Sequence, residues 1–334
     1  MSELKDAGVQ IRLAYQAMIN AGIDVAQLFS KLGIDESYLD TANLRTPHKL
    51  QPLFWGLLEE QTKDADIGLH LGQHLPVFKG QVIEYLFLSS PTFGEGLRRS
   101  LNYQRLISDA ADSNLVLEQG ACFIQVVTAA DGAKKIRHFN ECFAQGMIGF
   151  FKSITDDAFI PEFIEFEHDE PQNADEVKRI LGCDVKFGCE DNRIYFNSSL
   201  LERRSPHAEP ELLALHEQFA SEQLARIEKE DVVIKVNKII AELLDSGEVT
   251  LESVAERLEI KPRSLRTKLS DVETNFNQIL ADFRYNLARR LLAKTNETID
   301  EIVYLTGFSE PSTFYRAFKR WSGMTPIEYR KSKQ

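Results

Sequence analysis

A repeat near the carboxyl end of this 334-residue chain constrains its fold more than any other feature. Residues 250–269 align with residues 298–318, and their apolar positions match at an offset of 48 residues and then of 49. Each copy opens with a Thr and has two runs at helical spacing, the second of which begins with Pro262 or Pro311. Pro is tolerated in the first turn of a helix, where its missing N–H costs nothing. Each copy therefore predicts two short helices joined by a tight turn.

The two copies match the helix-turn-helix pattern, in which the first helix crosses the DNA backbone and the second enters the major groove. Thr298 and Glu301 predict a capping box at the start of the second copy. Short helix pairs are common, but two copies joined by a helical segment are a far more specific signal. Residues 276–295 supply that segment, which spans about 30 Å as a helix. Since a DNA turn measures roughly 34 Å, one chain could read two successive major grooves.

The second helix of each copy has a polar face suited to DNA. Leu265, Leu269, Phe314 and Phe318 are predicted to be buried behind it. Polar side chains near the start of such a helix reach base edges, and later Arg and Lys side chains reach phosphates. The alternative is a solvated basic face, but the basic residues recur at the same helix position in both copies. The predicted DNA-binding residues are Arg263, Ser264, Arg266, Thr267, Lys268, Ser312, Thr313, Tyr315, Arg316, Lys319 and Arg320.

The net charge is compatible with DNA binding only when the two parts of the chain are counted separately. The whole chain has a net charge of −12, which taken alone argues against nucleic acid as a partner. Residues 1–231 contain 22 basic and 37 acidic residues, whereas residues 232–334 contain 17 and 14. The segment with the repeat therefore carries a charge of +3. The acidic first part is expected to repel DNA and so to lower non-specific binding.

The first 230 residues predict an α+β domain with a mostly antiparallel sheet. The pattern at 113–129 is broken by Gln119-Gly120, which predicts a hairpin. Residues 209–245 predict one or two helices that join the halves, interrupted near 228–231. The other predicted elements are helices at 7–33, 49–61, 95–108 and 175–181 and strands at 163–166, 185–187 and 193–196.

A domain of this length can hold a ligand cavity. Its aromatic residues are candidates for the cavity lining, although most aromatic residues in such a domain belong to the core. Nearby Arg side chains could meet an anionic ligand. The predicted ligand-binding residues are Phe78, Tyr85, Tyr103, Arg105, Arg137 and Phe150.

The sequence gives little support for an enzyme active site or a metal site. His70 and His74 have the spacing of metal ligands, but the segment lacks the Glu of a zinc-protease motif and is flanked by Gly72 and Pro76. The sequence contains no phosphate-binding loop or nucleophile elbow, so neither a cofactor nor a metal is expected. The four Cys residues are scattered, which does not suggest disulfides. The sequence has no apolar run of 18 residues and begins with polar residues, so neither a membrane span nor a secretory signal is expected. We therefore predict a cytoplasmic protein.

The carboxyl-terminal segment resembles the AraC/XylS family of bacterial transcription regulators. The resemblance rests on Leu287-Ala-Arg-Arg-Leu-Leu292, Ile299 with Ile302, Gly307-Phe-Ser-Glu-Pro-Ser-Thr-Phe-Tyr-Arg-Ala-Phe-Lys-Arg-Trp321, Gly323-Met-Thr-Pro326 and Tyr329-Arg330. Residues 7–225 resemble, more weakly, the arabinose-binding-like sensor domain of the ornithine-utilisation and virulence-regulator branch. The resemblance implies a dimeric regulator that binds double-stranded promoter DNA and a small-molecule effector.

The resemblance also suggests the partners and the contacts. An amino acid, a polyamine or a fatty acid is the candidate effector, and RNA polymerase is a candidate partner. Lys261 departs from the Ser or Thr cap usual in the family, which weakens the cap by about 1 kcal/mol, and Val303 replaces a usual Ala, which implies looser helix packing. The implied DNA contacts are Arg263, Arg266, Thr267, Ser312, Thr313 and Arg316.

We therefore predict an α+β N-terminal sensor domain followed by an all-α C-terminal domain with two helix-turn-helix motifs joined by a long helix. Residues 1–205 are predicted to sense the ligand and dimerise, residues 206–246 to connect, and residues 247–334 to bind DNA. The predicted function is effector-controlled, sequence-specific transcriptional regulation. The alternatives are a constitutive regulator whose first domain only dimerises and an enzyme with an appended helical domain.

Overall fold

The computed structural model describes residues 4–41, 43–78, 81–118, 120–128, 136–244 and 249–333. The chain divides into two units, Glu3–Leu224 and Ala225–Gln334. The division falls inside the segment predicted to connect the domains, and the predicted boundary at residues 246 and 247 lies outside the described residues.

Helices occupy most of the first unit. A single helix, α9, includes residues of both units, and the predicted interruption near 228–231 does not occur because that segment contains no Gly or Pro. The helices are α1 (Gly8–Asn20), α2 (Val25–Leu32), α3 (Gln51–Thr62), α4 (Ile67–Gln73), α5 (Val82–Ser89), α6 (Phe93–Asn102), α7 (Arg137–Ile154), α8 (Ala174–Leu181) and α9 (Pro210–Leu243).

The strands of the first unit confirm the predicted α+β class. They are β1 (Lys5–Ala7), β2 (Arg45–Pro47), β3 (Ala111–Glu118), β4 (Ala121–Thr128), β5 (Pro161–Glu165), β6 (Asp184–Lys186) and β7 (Asn192–Phe196). β1 and β2 form an antiparallel pair, and the others form a sheet in the order β3-β4-β7-β5-β6. Only β5 and β6 pair in parallel in this sheet, because α8 crosses between them.

The β3–β4 hairpin occurs where the sequence predicts it. Its register runs from Ala111 opposite Thr128 to Glu118 opposite Ala121. Gly120 has a φ of +88°, a left-handed conformation that suits Gly in a tight turn, while Gln119 lies outside the described residues. The prediction of a hairpin is therefore confirmed.

Two glycines on α4 let it pack closely against α7. A Cβ at Gly68 would lie 2.3 Å from backbone atoms of His138, and one at Gly72 would lie 2.9 Å from the Cβ of Gln145. The two glycines are four residues apart and so share one face of α4. Their missing side chains bring α7 against α4, on one side of the region that holds the cavity described below.

The second unit contains the helix pairs predicted from the repeat. Its helices after α9 are α10 (Leu251–Arg257), α11 (Pro262–Asp271), α12 (Phe276–Lys294), α13 (Ile299–Leu305), α14 (Pro311–Ser322) and α15 (Pro326–Lys331). α10 with α11 and α13 with α14 form the two helix-turn-helix motifs, and α12 joins them. The predicted capping box of Thr298 and Glu301 is present, and Thr250 and Thr325 form two more.

Helix α12 belongs to two hydrophobic cores. Its first half contributes Phe276 and Ile279 to a core with the first motif, and its second half contributes Ala288 and Leu292 to a core with the second motif. The 19-residue helix is about 28 Å long. Because each motif packs on a different half of it, α12 sets their separation. Within the described ranges, no helix is long and apolar enough to cross a membrane.

Candidate nucleic-acid interface and effector cavity

Helix α11 presents a polar, basic face to solvent. Leu265 and Leu269 are buried in the first core, as their spacing predicts. Since these two residues hold one face of the helix against the core, the intervening side chains point outward. The exposed residues are the predicted ones: Arg263, Ser264, Arg266, Thr267 and Lys268.

Helix α14 repeats this arrangement in the second motif. Phe314, Ala317 and Phe318 are buried, while Tyr315 is half-buried and meets the ring of Phe314 edge-on at 6.2 Å. Tyr315 therefore packs against the core as well as bordering the polar face. The other predicted DNA-binding residues of this helix are exposed: Ser312, Thr313, Arg316, Lys319 and Arg320.

Helix α11, the second helix of the first motif, starts without a side-chain cap. Lys261 occupies the cap position in an extended conformation and makes no cap hydrogen bond, which confirms the departure noted in the sequence. Pro262 follows at the first helical position, where its fixed φ suits a helix. Val303, the second departure, is buried in the second core.

Arg284 on α12 has a structural role that its sequence position does not reveal. Its guanidinium donates a hydrogen bond to the carbonyl oxygen of Gly307 at 2.7 Å and lies over the ring of Phe308 at 4.7 Å. Burial lowers the pKa of Arg284. This basic residue therefore holds the turn of the second motif against α12, rather than facing a phosphate.

A cavity of about 340 Å³ lies within the first unit. Its walls come from α1, α3, α6, α7 and one face of the larger sheet, and most of its lining side chains are apolar. The volume lies within the roughly 300–1,000 Å³ typical of small-molecule sites. Of the predicted ligand-binding residues, Phe78 and Phe150 line it, with their rings 5.6 Å apart and perpendicular.

The two predicted tyrosines lie outside the cavity lining. Tyr85 is exposed and stacks on the ring of His216 at 5.2 Å. Tyr103 donates its hydroxyl to the backbone oxygen of Glu217 at 3.5 Å. Both side chains therefore contact residues of α9.

The two predicted arginines also lie outside the lining, and each is engaged by carboxylates. Arg105 donates from Nε to Asp109 at 3.1 Å. Arg137 donates from Nε to Oε1 of Glu141 at 2.8 Å, and its NH2 group contacts Asp66. These ion pairs explain why neither guanidinium faces the cavity.

Glu141 of α7 and His168 form a buried pair. Burial raises the pKa of Glu141 to about 7, although Arg137 opposes this shift. Burial likewise lowers the pKa of His168 to about 4. Oε1 of Glu141 and Nε2 of His168 are 3.7 Å apart. Both groups are therefore neutral over part of the acidic range, where the unfolded chain would carry their charges.

His70, whose spacing from His74 resembles that of metal ligands, contacts a carboxylate. Its Nδ1 lies 2.6 Å from a carboxylate oxygen of Asp64, and His74 is exposed at the end of α4. The part of the chain that the structure describes contains no group of three or more His, Cys, Asp or Glu side chains placed to hold a metal ion.

A buried polar group that the sequence did not reveal lies beside the cavity. Nδ1 of His48 is 3.0 Å from both carboxylate oxygens of Asp6. Gln51 and Ser108 donate to the same carboxylate at 2.9 and 2.6 Å. Burial alone would raise the pKa of Asp6, but the hydrogen bonds from His48, Gln51 and Ser108 outweigh it and lower that pKa. Asp6 is therefore a buried carboxylate, and all three residues that bond to it, His48, Gln51 and Ser108, line the cavity.

Comparison with known families agrees with both units. Residues 22–205 match the arabinose-binding domain of AraC transcription regulators, and residues 254–332 match a helix-turn-helix domain. The chain belongs to the AraC family. Members of this family that resemble it are transcription regulators with helix-turn-helix domains, so the alternative of an enzyme is excluded.

Two relatives and one solved structure are among the proteins that this chain resembles. The ornithine utilization regulator of Pseudomonas aeruginosa is 29% identical over 278 residues, covering 80% of this chain and 78% of its own. The regulator VirS of Mycobacterium tuberculosis is 28% identical over 167 residues, covering 49% and 48%. The crystal structure of the regulator CdpR from P. aeruginosa aligns with 96% of this chain and 98% of its own at 17% identity, with a TM-score of 0.43. The chain is an AraC-family DNA-binding transcription regulator with an arabinose-binding-like N-terminal domain.

Proposed function

We propose that this AraC-family regulator is controlled by a small-molecule effector that occupies the cavity of its first unit. The cavity itself carries the proposal: about 340 Å³ of mostly apolar space lies inside the domain that matches the arabinose-binding model. An effector that binds one arrangement of the protein more tightly than another shifts the population towards it. Effector binding is then read out as a change in affinity for promoter DNA.

The exposed faces of α11 and α14 are proposed to contact that DNA. Both faces lie on the second helix of a helix-turn-helix motif, and each combines small polar side chains with Arg and Lys. Arg266 and Arg316 are proposed to read base edges, because Arg can pair bidentately with guanine, whereas Lys319 is placed to contact a phosphate. The remaining proposed contacts are Arg263, Ser264, Thr267, Lys268, Ser312, Thr313, Tyr315 and Arg320.

A second copy of the chain is the proposed partner of α9. Leu212, Leu215 and Phe219 are each between 48% and 61% exposed. Their i, i+3, i+7 spacing puts them on one side of the helix, as in helices that pair through an apolar stripe. A homodimer would cover this stripe. We further propose that the protein acts in the cytoplasm, where promoter DNA is found, and that RNA polymerase is a partner.

The decisive experiment measures DNA affinity with and without candidate effectors. Genomic fragments captured by the full chain supply the DNA, and fluorescence anisotropy then gives the dissociation constant in the presence of ornithine, putrescine or decanoic acid. Ornithine is included because a relative is named an ornithine utilization regulator. A change of about fivefold or more with one compound supports effector control. An unchanged affinity with all three, together with no rise in melting temperature, favours the constitutive regulator.

A further inference from the structure

We infer that Glu141 and His168 together bind one buried proton, and that this proton makes the packing of α4 on α7 sensitive to pH near neutrality. Glu141 lies on α7 and is 0% exposed, and His168 follows β5 and is 3% exposed. The proton site belongs to the first unit alone and does not depend on effector control. Two features point to it, namely the direction of the hydrogen bonds that these side chains make and the charges that surround them.

The ring of His168 offers a lone pair to Glu141. Its Nδ1 lies 3.0 Å from the backbone oxygen of Asp169. Because a carbonyl oxygen can only accept, Nδ1 carries the proton of the neutral ring and Nε2 is left as an acceptor. Nε2 lies 3.7 Å from Oε1 of Glu141 and has no hydrogen-bond partner among the described residues. A neutral imidazole and an ionised carboxylate would therefore face each other as two acceptors.

The carboxyl group of Glu141 is also incompletely bonded. Oε1 accepts from Nε of Arg137 at 2.8 Å, whereas Oε2 is buried and has no partner in the described part of the chain. An ionised carboxylate offers about four acceptor positions, and leaving most of them empty away from water is costly. A proton between Glu141 and His168 turns one of the two facing acceptors into a donor. The two groups can then approach to hydrogen-bond distance, and both are uncharged.

The charges around the pair also favour one bound proton. Among the described residues that face it, only Arg137 carries a permanent positive charge, and its NH2 group already contacts Asp66. Burial alone would raise the pKa of Asp66, but hydrogen bonds from Asn173 and Arg137 outweigh it and lower that pKa, so this carboxylate is ionised. The single guanidinium is thus balanced by Asp66. Glu141 leaves the cluster uncharged only when it is protonated.

The other titratable groups that face the pair supply no further cation. Two are histidines that contact carboxylates outside the pair, and the third is an exposed carboxylate. They are His70, which lies 2.6 Å from Asp64 and 4.0 Å from Glu176, His138, which lies 3.2 Å from Glu59, and Asp169.

The pKa values of the two groups agree in direction with a shared proton. Burial raises the pKa of Glu141 to about 7 and lowers the pKa of His168 to about 4. Between about pH 4.5 and 6.5, an unfolded chain carries the proton on the imidazole and has a charge on both groups. The folded chain carries it on the carboxyl group and has a charge on neither. Folding therefore moves the proton from His168 to Glu141, and the folded pair loses it near pH 7.

Loss of this proton acts on the contact between α4 and α7. Arg137 of α7 is joined to α4 through Asp66, the residue that precedes α4. Once Glu141 is ionised, two carboxylates share one guanidinium, and their mutual repulsion weakens the contact with Asp66. Cys142, next to Glu141, lines the cavity. A rise in pH therefore loosens the wall that α7 contributes to the cavity.

Infrared difference spectroscopy of the full chain without DNA detects the proton directly. A protonated carboxyl group absorbs apart from an ionised one, and subtracting the spectrum of Glu141→Gln from that of the wild type removes the signals of the other carboxyl groups. We expect one carboxylic acid band at about pH 6.5 that disappears by about pH 8.5. Glu165→Gln is the matched control, because Glu165 is 9% exposed but has two cationic partners, Lys186 and Arg193. Its difference spectrum should contain no such band.

NMR of the protein with 15N-labelled histidine measures the other member of the pair. At about pH 5.5, where an ordinary His is protonated, His168 should be a neutral ring with its proton on Nδ1. The signal that is absent from His168→Asn identifies this residue.

Hydrogen exchange of the α7 amides measures the coupling to helix packing. After correction for the intrinsic effect of pH on exchange, the protection of the wild type relative to Glu141→Gln should fall about tenfold between about pH 6 and about pH 8. If Glu141→Gln does not fold, the infrared spectrum of the wild type at about pH 6.5 minus that at about pH 8.5 tests the same proton.

Each measurement can overturn one part of the assignment. The absence of the carboxylic acid band, or a doubly protonated His168 ring at about pH 5.5, would overturn the shared proton. A water molecule that donates to both acceptors would also leave Glu141 ionised and give no band. A band that titrates while the protection ratio stays constant would overturn the coupling between the proton and the α4–α7 contact. None of these results requires an effector or DNA, so they are independent of the proposed function.

Discussion

Glu259 and Gly307 hold the same left-handed backbone in equivalent turns of the two helix-turn-helix motifs, with φ of 55° and 72°. Each N–H bonds to the carbonyl three residues earlier, Glu256 or Tyr304, at 3.0 and 2.8 Å. The next residue in each turn donates to a carbonyl five residues earlier, as in a Schellman motif. The two turns are therefore identical in hydrogen bonding, but only one of them has the residue that this conformation favours.

Glu259→Gly should stabilise the second unit by about 0.5–1 kcal/mol. A left-handed conformation costs a residue with a Cβ about 1–2 kcal/mol, and the greater freedom of Gly in the unfolded chain offsets part of the gain. Gly307→Ala should destabilise it by about 1–2 kcal/mol, because the added Cβ would also lie 3.0 Å from Leu244. Urea unfolding in a Trp55→Phe background, in which Trp321 is the one remaining tryptophan, measures both. The prediction would be contradicted if both variants had the same free energy of unfolding as the parent.

Arg266→Ala and Arg316→Ala should each weaken specific DNA binding by about 1–3 kcal/mol and relax the sequence preference at one position. Each removes an exposed guanidinium from the polar face of a reading helix. Footprinting and anisotropy on the captured DNA measure the loss. Arg179→Ala is the control, because Arg179 is exposed on α8 and pairs with Glu176 of the same helix. Unchanged footprints for both variants would contradict the assignment of the reading faces.

Lys319→Ala should weaken binding to all sequences alike. Loss of one phosphate contact releases about one counterion fewer, so the slope of log affinity against log salt should decrease in magnitude by about one. This slope is measured by titrations at salt concentrations from about 50 to about 300 mM, which include the physiological ionic strength. Lys186→Ala, at an exposed lysine of β6, should leave it unchanged. A Lys319→Ala slope equal to the wild-type slope would rule out a phosphate contact.

The stability of the first unit should respond to pH through Glu141 and His168 with opposite signs. The pKa of Glu141 is raised to about 7, so the folded chain binds its proton more tightly and stability decreases as the pH rises from about 4.5 to 7. The pKa of His168 is lowered to about 4, so the folded chain binds its proton less tightly and stability increases from about pH 4 to 6.5. The two effects oppose each other between pH 4.5 and 6.5.

Single substitutions should reveal how each of the two groups changes the stability with pH. Relative to wild type, Glu141→Gln should lose stability as the pH falls from 6.5 to 5, and His168→Asn should gain stability over the same range, each by at most about 1.4 kcal/mol per pH unit. The double variant should follow the wild-type curve. Urea unfolding at a series of pH values measures these differences, and parallel curves for all four proteins would contradict the buried pair.

Leu215→Glu combined with Phe219→Glu should convert the proposed dimer to a monomer. If the α9 stripes of two copies pack against each other, both introduced carboxylates would be buried without partners. Sedimentation equilibrium of the full chain measures the change in mass. Ile160→Glu is the matched control, since Ile160 is 66% exposed elsewhere in the first unit. A wild-type chain that stays monomeric, or a control that dissociates equally, would contradict the role of the stripe.

The sequence predicted elements best where one face alone is buried. Strand β7 was expected at 193–196 and runs over Asn192–Phe196, and α8 was expected at 175–181 and runs over Ala174–Leu181. Helix α7 was missed although its buried residues Glu141, Ala144, Ile148 and Phe151 recur at spacings of three and four. The buried face includes the polar side chains of Asn140 and Glu141, so hydrophobicity alone does not mark the start of the helix.

The cavity lining was harder to predict than the exposed faces of α11 and α14. Phe78 and Phe150 line the cavity, but Arg137 is held by Asp66, a residue 71 positions away. Its availability depends on a contact that no local pattern encodes. The exposed residues of α11, in contrast, follow directly from the burial of Leu265 and Leu269 on the same helix.

The sequence by itself determined the two helix-turn-helix motifs, because caps, prolines and apolar spacing act over three or four residues and repeat at a constant offset. Only the tertiary structure decided which side chains line the cavity of the first unit. His48 and Ser100 lie on different elements of the chain, and packing brings both to the lining of one cavity, where His48 also contacts the buried Asp6. Burial there is set by long-range packing, and burial is what leaves Nε2 of His48 and Oγ of Ser100 without partners.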